Sequence, residues 1–213
     1  MLGLLLANKK PLNVLCLGAH CDDIEIGTGG TLLKLFDTYK VNSVKWVIFS
    51  SNEVRKKEAT KSARRFLEKI NNHDIRIQAY RDGFLPFMAA KVKDYFEVLK
   101  KEFNPDIVFT HYRDDRHQDH RLVSDLTWNT WRDHLILEYE IPKYDGDLGI
   151  PNFYVTLEKK YIDKRNKILL ESFESQQSKH WFDDATFKAL PRLRGMESAT
   201  LFAEAFYARK IIF

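Results

Sequence analysis

The residues able to do chemistry fall into two short clusters. The first, His20-Cys21-Asp22-Asp23-Ile24-Glu25, holds three acids and a histidine within six residues. A helix cap would explain one aspartate, but a second adjacent carboxylate adds repulsion unless a cation offsets it. Consecutive side chains in extended or turning backbone point in different directions. One aspartate can therefore join His20 on a metal while its neighbour faces the remaining coordination position. A catalytic zinc centre needs this division between protein ligands and a separate base for the attacking water. Cys21 suits a small apolar filler better than a ligand, because its spacing from His20 makes joint coordination awkward.

The second cluster spans residues 110–120, Thr-His-Tyr-Arg-Asp-Asp-Arg-His-Gln-Asp-His, and carries three of the seven histidines. His117 and His120 are three apart, so at the start of a helix they share a face. Asp119 lies off that face and can bond back to an imidazole to orient it. The dipole at a helix N-terminus favours Asp114, Asp115 and Asp119, but it disfavours cationic imidazole; the histidines therefore point to metal or catalysis. For His117 the helix terminus lowers the pKa while Asp119 raises it. His111, at the end of a strand, is read as bonding backbone and stays outside the ligand set. His73, His134 and His180 are isolated and read as surface residues. Together the clusters offer His20, Asp23 and His120, the two-histidine, one-carboxylate set of a hydrolytic zinc centre. Asp22 and His117 are left as acid/base partners.

Both clusters directly follow apolar runs, which sets the frame that must position them. Residues 13–19, 44–49, 74–80, 106–110, 135–139 and 153–157 read as short strands. Between them, residues 53–70 and 88–103 carry helical patterns, a helix begins near His117, and residues 158–175 look helical. The Gly-rich stretch 27–31 leads into a helix start at Leu32. Asn104-Pro105 ends the helix over 88–103, since a residue before proline avoids the α region. Short strands alternating with longer helices predict an α/β fold built on a mostly parallel sheet. Ligands in such sheets sit outside the carboxyl ends of the strands, where both clusters lie.

The whole chain of 213 residues reads as one domain, with no repeat or linker. A 44% hydrophobic fraction and 13% aromatic residues exclude a disordered chain. No apolar run approaches the roughly 20 residues of a transmembrane helix, and the opening MLGLLLANKK is too short for a signal peptide. Two cysteines five apart make no disulfide framework, which sets a reducing, cytoplasmic location as the expectation. Lys and Arg number 34 against 30 Asp and Glu, a net charge of +4. That balance is too mild for a nucleic-acid partner.

These motifs resemble those of the PIG-L/LmbE-like zinc-dependent N-deacetylases. Ala19-His20-Cys21-Asp22-Asp23-Ile24-Glu25 with Gly29-Gly30-Thr31 is similar to the family's first signature, with Cys21 where the family usually has proline. His117-Gln118-Asp119-His120 is similar to its second. Arg55-Lys56-Lys57-Glu58-Ala59, Arg81-Asp82-Gly83, Ser175-Gln176 and Ala203-Glu204-Ala205-Phe206 extend the resemblance over about residues 12–206. The resemblance implies a Rossmann-like three-layer sandwich, often in homo-oligomers, that removes acetyl groups from N-acetylglucosamine-type amino sugars or their conjugates. It implies one zinc ion per chain on His20, Asp23 and His120. Asp22 takes the place of the general base, His117 that of the oxyanion stabiliser, and Asp119 that of the residue orienting His117. Arg55 and Asp82 match positions that touch the sugar, and the segment 138–156 is expected to line its pocket.

Three other readings compete. A non-haem Fe(II) oxygenase also uses two histidines and a carboxylate, but gives the second aspartate no task. A dinucleotide-binding oxidoreductase lacks its G-x-G-x-x-G here, and the acids would stand where a pyrophosphate must sit. A non-catalytic sugar-binding relative would have lost the acid/base pair, whereas Asp22 and His117 are both present.

Overall fold

The apolar runs become strands because both of their faces are covered. In β1 (Leu12–Gly18), Leu12, Val14 and Cys16 enter one core, and Leu15 and Leu17 enter a second on the opposite face. In β2 (Val41–Ser50), Val44, Trp46 and Ile48 face the first core while Val47 and Phe49 face the second. Burial on two faces is the reason these strands read as near-continuous hydrophobic runs. The computed structural model describes residues 10–212, so the opening apolar run lies outside the described residues.

Among the described residues, seven strands form one sheet. β1, β2, β3 (His73–Tyr80), β4 (Ile107–His111) and β5 (Leu135–Tyr139) pair in parallel, and β7 (Phe202–Tyr207) runs antiparallel to both β5 and β6 (Phe153–Leu157). The order is β3-β2-β1-β4-β5-β7-β6. Residues of α1 (Asp23–Thr38), α2 (Glu53–Phe66), α5 (Lys159–Ser172) and α6 (Asp184–Glu197) complete the first core. Those of α3 (Ala89–Glu102) and α4 (Gln118–Thr130) complete the second. This is the three-layer α/β sandwich with a mostly parallel sheet that the sequence predicts. The strand order reverses between β1 and β4, and at such a switch point the flanking loops part and leave a crevice.

One boundary differs from the sequence reading. The helix expected to start at Leu32 starts at Asp23, and the glycines lie inside it. They serve close approach. A Cβ on Gly30 would stand 2.7 Å from Leu157 Cδ1 and 2.9 Å from Glu204 Oε1. The backbone N–H groups of Gly30 and Thr31 donate to the Glu204 carboxylate at 2.9 and 2.6 Å, and Arg165 Nη1 donates to it at 3.0 Å. A buried carboxylate on β7 thus ties α1 to α5, and the Gly-rich stretch cradles a side chain of the protein itself.

Candidate active site

The first cluster sits on the tight passage from β1 into α1. Asp23 Oδ2 accepts the backbone N–H of His20 at 2.6 Å, which closes the turn. Asp22 stands at the N-cap of α1 without capping it. Its Oδ1 lies 2.9 Å from Arg55 Nη2. Arg55 is in the first turn of α2, where its own N–H donates to the capping side chain of Asn52. A cap therefore does not account for Asp22.

The second cluster leaves β4 at His111. This histidine is fully buried, and its Nε2 accepts the N–H of Ala19 at 2.9 Å. It bonds backbone as expected, and its ring stacks on that of His120 with centroids 3.9 Å apart. His117 is the N-cap of α4, and its Nδ1 accepts the N–H of Asp119 at 3.3 Å. That bond puts the ring hydrogen of neutral His117 on Nε2.

Folding brings the two clusters together. His20 Nδ1 lies 3.1 Å from His120 Nε2 and 3.3 Å from Asp23 Oδ2, and His120 Nε2 is 3.6 Å from the same oxygen. Tetrahedral ligands about 2.0–2.1 Å from one ion are separated from each other by about 3.3 Å. The three atoms thus form a triangle of the size a zinc-like cation requires. His117 stands beside it, its ring centroid 4.8 Å from that of His20 and 4.6 Å from that of His120. The ligand atoms of His20, His117 and His120 lie within 4.8 Å of one another.

Carboxylates grip the two imidazoles of the triangle through their other ring nitrogens. His20 Nε2 is 3.1 Å from Asp82 Oδ1 and 3.4 Å from Asp119 Oδ2. Asp119 also accepts the N–H groups of Gly83 and Leu85 at 2.8 and 3.1 Å, holding the loop after β3 against α4. Gly83 has φ +76°, a left-handed conformation that suits glycine. The Asp119 carboxylate, expected to face His117, lies instead against His20 and this loop, and it is the Asp119 backbone N–H that donates to His117. Asp115 Oδ2 stands 2.9 Å from His120 Nδ1.

Charge follows from these contacts. Burial would lower the pKa of His20, but Asp23, Asp119 and Asp82 outweigh it and hold it well above the ordinary value. Burial would raise Asp23, yet the three imidazoles of His120, His20 and His111 hold it well below. Burial lowers His117, and His120 and His20 lower it further. Burial and the two neighbouring imidazoles thus prevail over Asp119 and favour the neutral imidazole. Burial also lowers His120 and pushes the Glu25 carboxyl up to about 8. The Cys21 thiol is raised to about 12 by burial, as befits a filler.

A cavity of about 1350 Å³ opens over the triangle. Arg55 and Asp82 line it, as do Ser175 and Gln176 and, from the segment 138–156, Ile141 to Tyr144. His180 is exposed as expected, yet it lies on the cavity wall beside Tyr144, with ring centroids 5.8 Å apart. Nothing local in the sequence marks it, because the wall is made by loops more than 30 residues apart. Asp115 is the other residue the sequence reading passes over, since a helix dipole already explains an aspartate there.

Residues 15–131, more than half of the chain, match the PIG-L family, whose description is GlcNAc-PI de-N-acetylase. The chain belongs to the PIG-L family. Its enzyme class is accordingly that of the amide-hydrolysing N-deacetylases. Among solved structures, the N,N'-diacetylchitobiose deacetylase of Pyrococcus horikoshii, complexed with its inhibitor MPG, is similar to this PIG-L chain with a TM-score of 0.73 and 24% identity, over 93% of this chain and 84% of that one. The conserved protein TT1542 of Thermus thermophilus has a TM-score of 0.73 and 22% identity, over 95% and 96%. GalB, the 4-carboxy-2-hydroxymuconate hydratase of Pseudomonas putida, has a TM-score of 0.72 and 12% identity, over 95% and 98%. At these identities the likeness concerns the fold. A hydratase among them illustrates that this fold hosts more than one chemistry, so function must be argued from the site.

Proposed function

We propose that this PIG-L protein is a zinc-dependent hydrolase that removes the N-acetyl group from an N-acetylglucosamine-type amino sugar or its conjugate, with one zinc ion per chain. The observation that carries the reading is the triangle of His20 Nδ1, Asp23 Oδ2 and His120 Nε2, 3.1–3.6 Å on a side, with Asp22 next to it and a large cavity above. Two imidazole nitrogens 3.1 Å apart need a proton or a cation between them, and with Asp23 Oδ2 at the third corner the donors have the spacing and type that a zinc-like cation takes. Three protein ligands leave a coordination position open, as catalytic zinc requires. A zinc ion held there supplies Lewis acidity towards the amide carbonyl and brings the pKa of a water down to about 7.

The remaining steps belong to the chain. Asp22 is held through Oδ1 by Arg55, and its other oxygen takes the proton of the attacking water. The carbonyl carbon becomes tetrahedral, and neutral His117 donates its Nε2–H to the oxygen that gains charge. Such a donor is worth about 10²–10³ in kcat. The C–N bond then breaks, and Asp22 returns its proton to the departing amine, leaving acetate and a free amino sugar. Arg55 and Asp82, on the cavity lining, stand where hydroxyls of the sugar can be bound. A cavity of about 1350 Å³ exceeds a single sugar ring, which favours a conjugate over a free monosaccharide.

The test is mass spectrometry of a panel of acetylated amino sugars and their conjugates incubated with zinc-loaded protein. A product lighter by one acetyl group, formed by wild type and not by Asp22→Asn, is the expected result. Metal analysis finding no zinc in the purified or reconstituted protein sinks the reading.

A further inference from the structure

Beside the triangle lies an ionic chain that reaches the cavity wall at Lys143 and has no part in the steps above. Asp115 occupies the turn between β4 and α4 with its side chain 1% exposed. Its Oδ1 accepts the N–H of His117 at 2.7 Å. Its Oδ2 takes two further contacts, His120 Nδ1 at 2.9 Å and Lys143 Nζ at 2.8 Å. Lys143 also donates to Asp147 at 2.7 Å and to the Ile141 carbonyl at 3.2 Å. An ammonium has three hydrogens, and all three of Lys143 are used. Although this lysine borders the cavity, it has no donor left for a substrate. Asp147 in turn accepts the N–H of Arg116 at 2.6 Å, so the loop carrying Lys143 is fastened to the turn carrying Asp115 at two points.

We propose that Asp115 is the positioning residue of the metal centre, fixing the tautomer of His120, and that Lys143 couples this function to the cavity wall. The inference rests on the reading of His120 as a ligand. An ionised carboxylate can only accept hydrogen bonds. His120 Nδ1 must therefore carry the ring hydrogen, which leaves the lone pair on Nε2, the nitrogen at the corner of the triangle. The other tautomer would aim a hydrogen at His20 and Asp23 and leave Nδ1 facing a carboxylate with nothing to give. His20 is gripped through the opposite nitrogen, its Nε2 facing Asp119 and Asp82. The two imidazoles thus enter the triangle by different atoms, each assigned by a carboxylate at its other ring nitrogen. A carboxylate of this kind is worth about 10–100-fold in metal affinity.

Two readouts test this. Long-range proton–nitrogen NMR of the wild-type imidazoles is expected to show His120 with its hydrogen on Nδ1. A hydrogen on Nε2 overturns the proposal, whether or not zinc binds. The second readout is zinc affinity, measured by chelator competition. Asp115→Asn is expected to weaken zinc by about 10–100-fold, and Lys143→Met, which leaves Asp115 in place, to weaken it less. Asp147→Asn removes a partner of Lys143 without touching His120, and is expected to lower the melting temperature while keeping zinc affinity within about twofold, against the larger loss for an orienting carboxylate. Folded Asp115→Asn that binds zinc like wild type overturns the proposal and leaves the proposed function standing. So does Asp147→Asn that weakens zinc as much as Asp115→Asn, since the loss then reflects general loosening. A wild type that takes up no zinc instead defeats the proposed function, and the tautomer measurement still decides the role of Asp115.

Discussion

Asp22 and Asp23 are neighbours in sequence with separate partners in space. Asp23 turns inward, where one oxygen meets the His20 backbone and three imidazoles within 3.6 Å. Asp22 turns to Arg55 and the cavity. Their amide variants should therefore fail differently. On the proposed mechanism Asp22→Asn keeps the shape but loses the proton acceptor, so activity should fall about 10²–10⁴-fold with zinc content unchanged. Asp23→Asn should lose zinc itself. Metal analysis beside an activity assay distinguishes them, and exchanged phenotypes would mean that ligand and base are assigned the wrong way round. His117→Ala should lower kcat by about 10²–10³-fold with KM almost unchanged, the pattern of a contact made mainly in the transition state. Spacing in the sequence points to these residues as candidates. It is not enough to match each carboxylate to its imidazole, because Asp119 and His20 are 99 residues apart and meet only through the fold.

At the scale of elements, β5 and β6 occupy the residues their apolar patterns predict, 135–139 and 153–157. β7 does not announce itself, since Glu204 interrupts its apolar run. A carboxylate there is tolerable only because Arg165 and two N–H groups of α1 satisfy it, and those partners are remote in sequence. α6 is hidden for a different reason: Pro191 stands inside it and charged residues crowd its pattern. The glycines of α1 misled in the same way, since only the neighbour that presses on them explains them. Gly30→Ala makes this quantitative. Alanine favours the helix by about 1 kcal/mol, while overpacking against Leu157 and Glu204 costs about 1–3 kcal/mol. The added methyl also pushes at the carboxylate that Gly30 and Thr31 hold. Denaturant unfolding should show a net loss of stability; a stabilised variant would mean that Glu204 does not approach this helix as described.

For the whole molecule, the decisive feature is that β1 and β4 are adjacent in the sheet while the residues they deliver are far apart in the chain. His20 and His120 are separated by 100 residues and meet at the strand-order reversal. A metal held between them cross-links the native state and has no comparable site in the unfolded chain, so binding free energy adds to folding free energy. With free zinc at about 100 times its dissociation constant the gain is about 2.7 kcal/mol. A protein of about 150–250 residues shifts its melting temperature by about 2–4 °C per kcal/mol, so chelation should lower the Tm by about 5–10 °C, and zinc should restore it. The same measurement separates the histidines. His120→Ala removes a corner of the triangle, so its Tm should no longer respond to zinc. His117→Ala should respond fully, because three ligands remain and the open position is untouched. A zinc-insensitive His117→Ala would make His117 a fourth ligand, close the centre, and leave Asp22 with no water to activate.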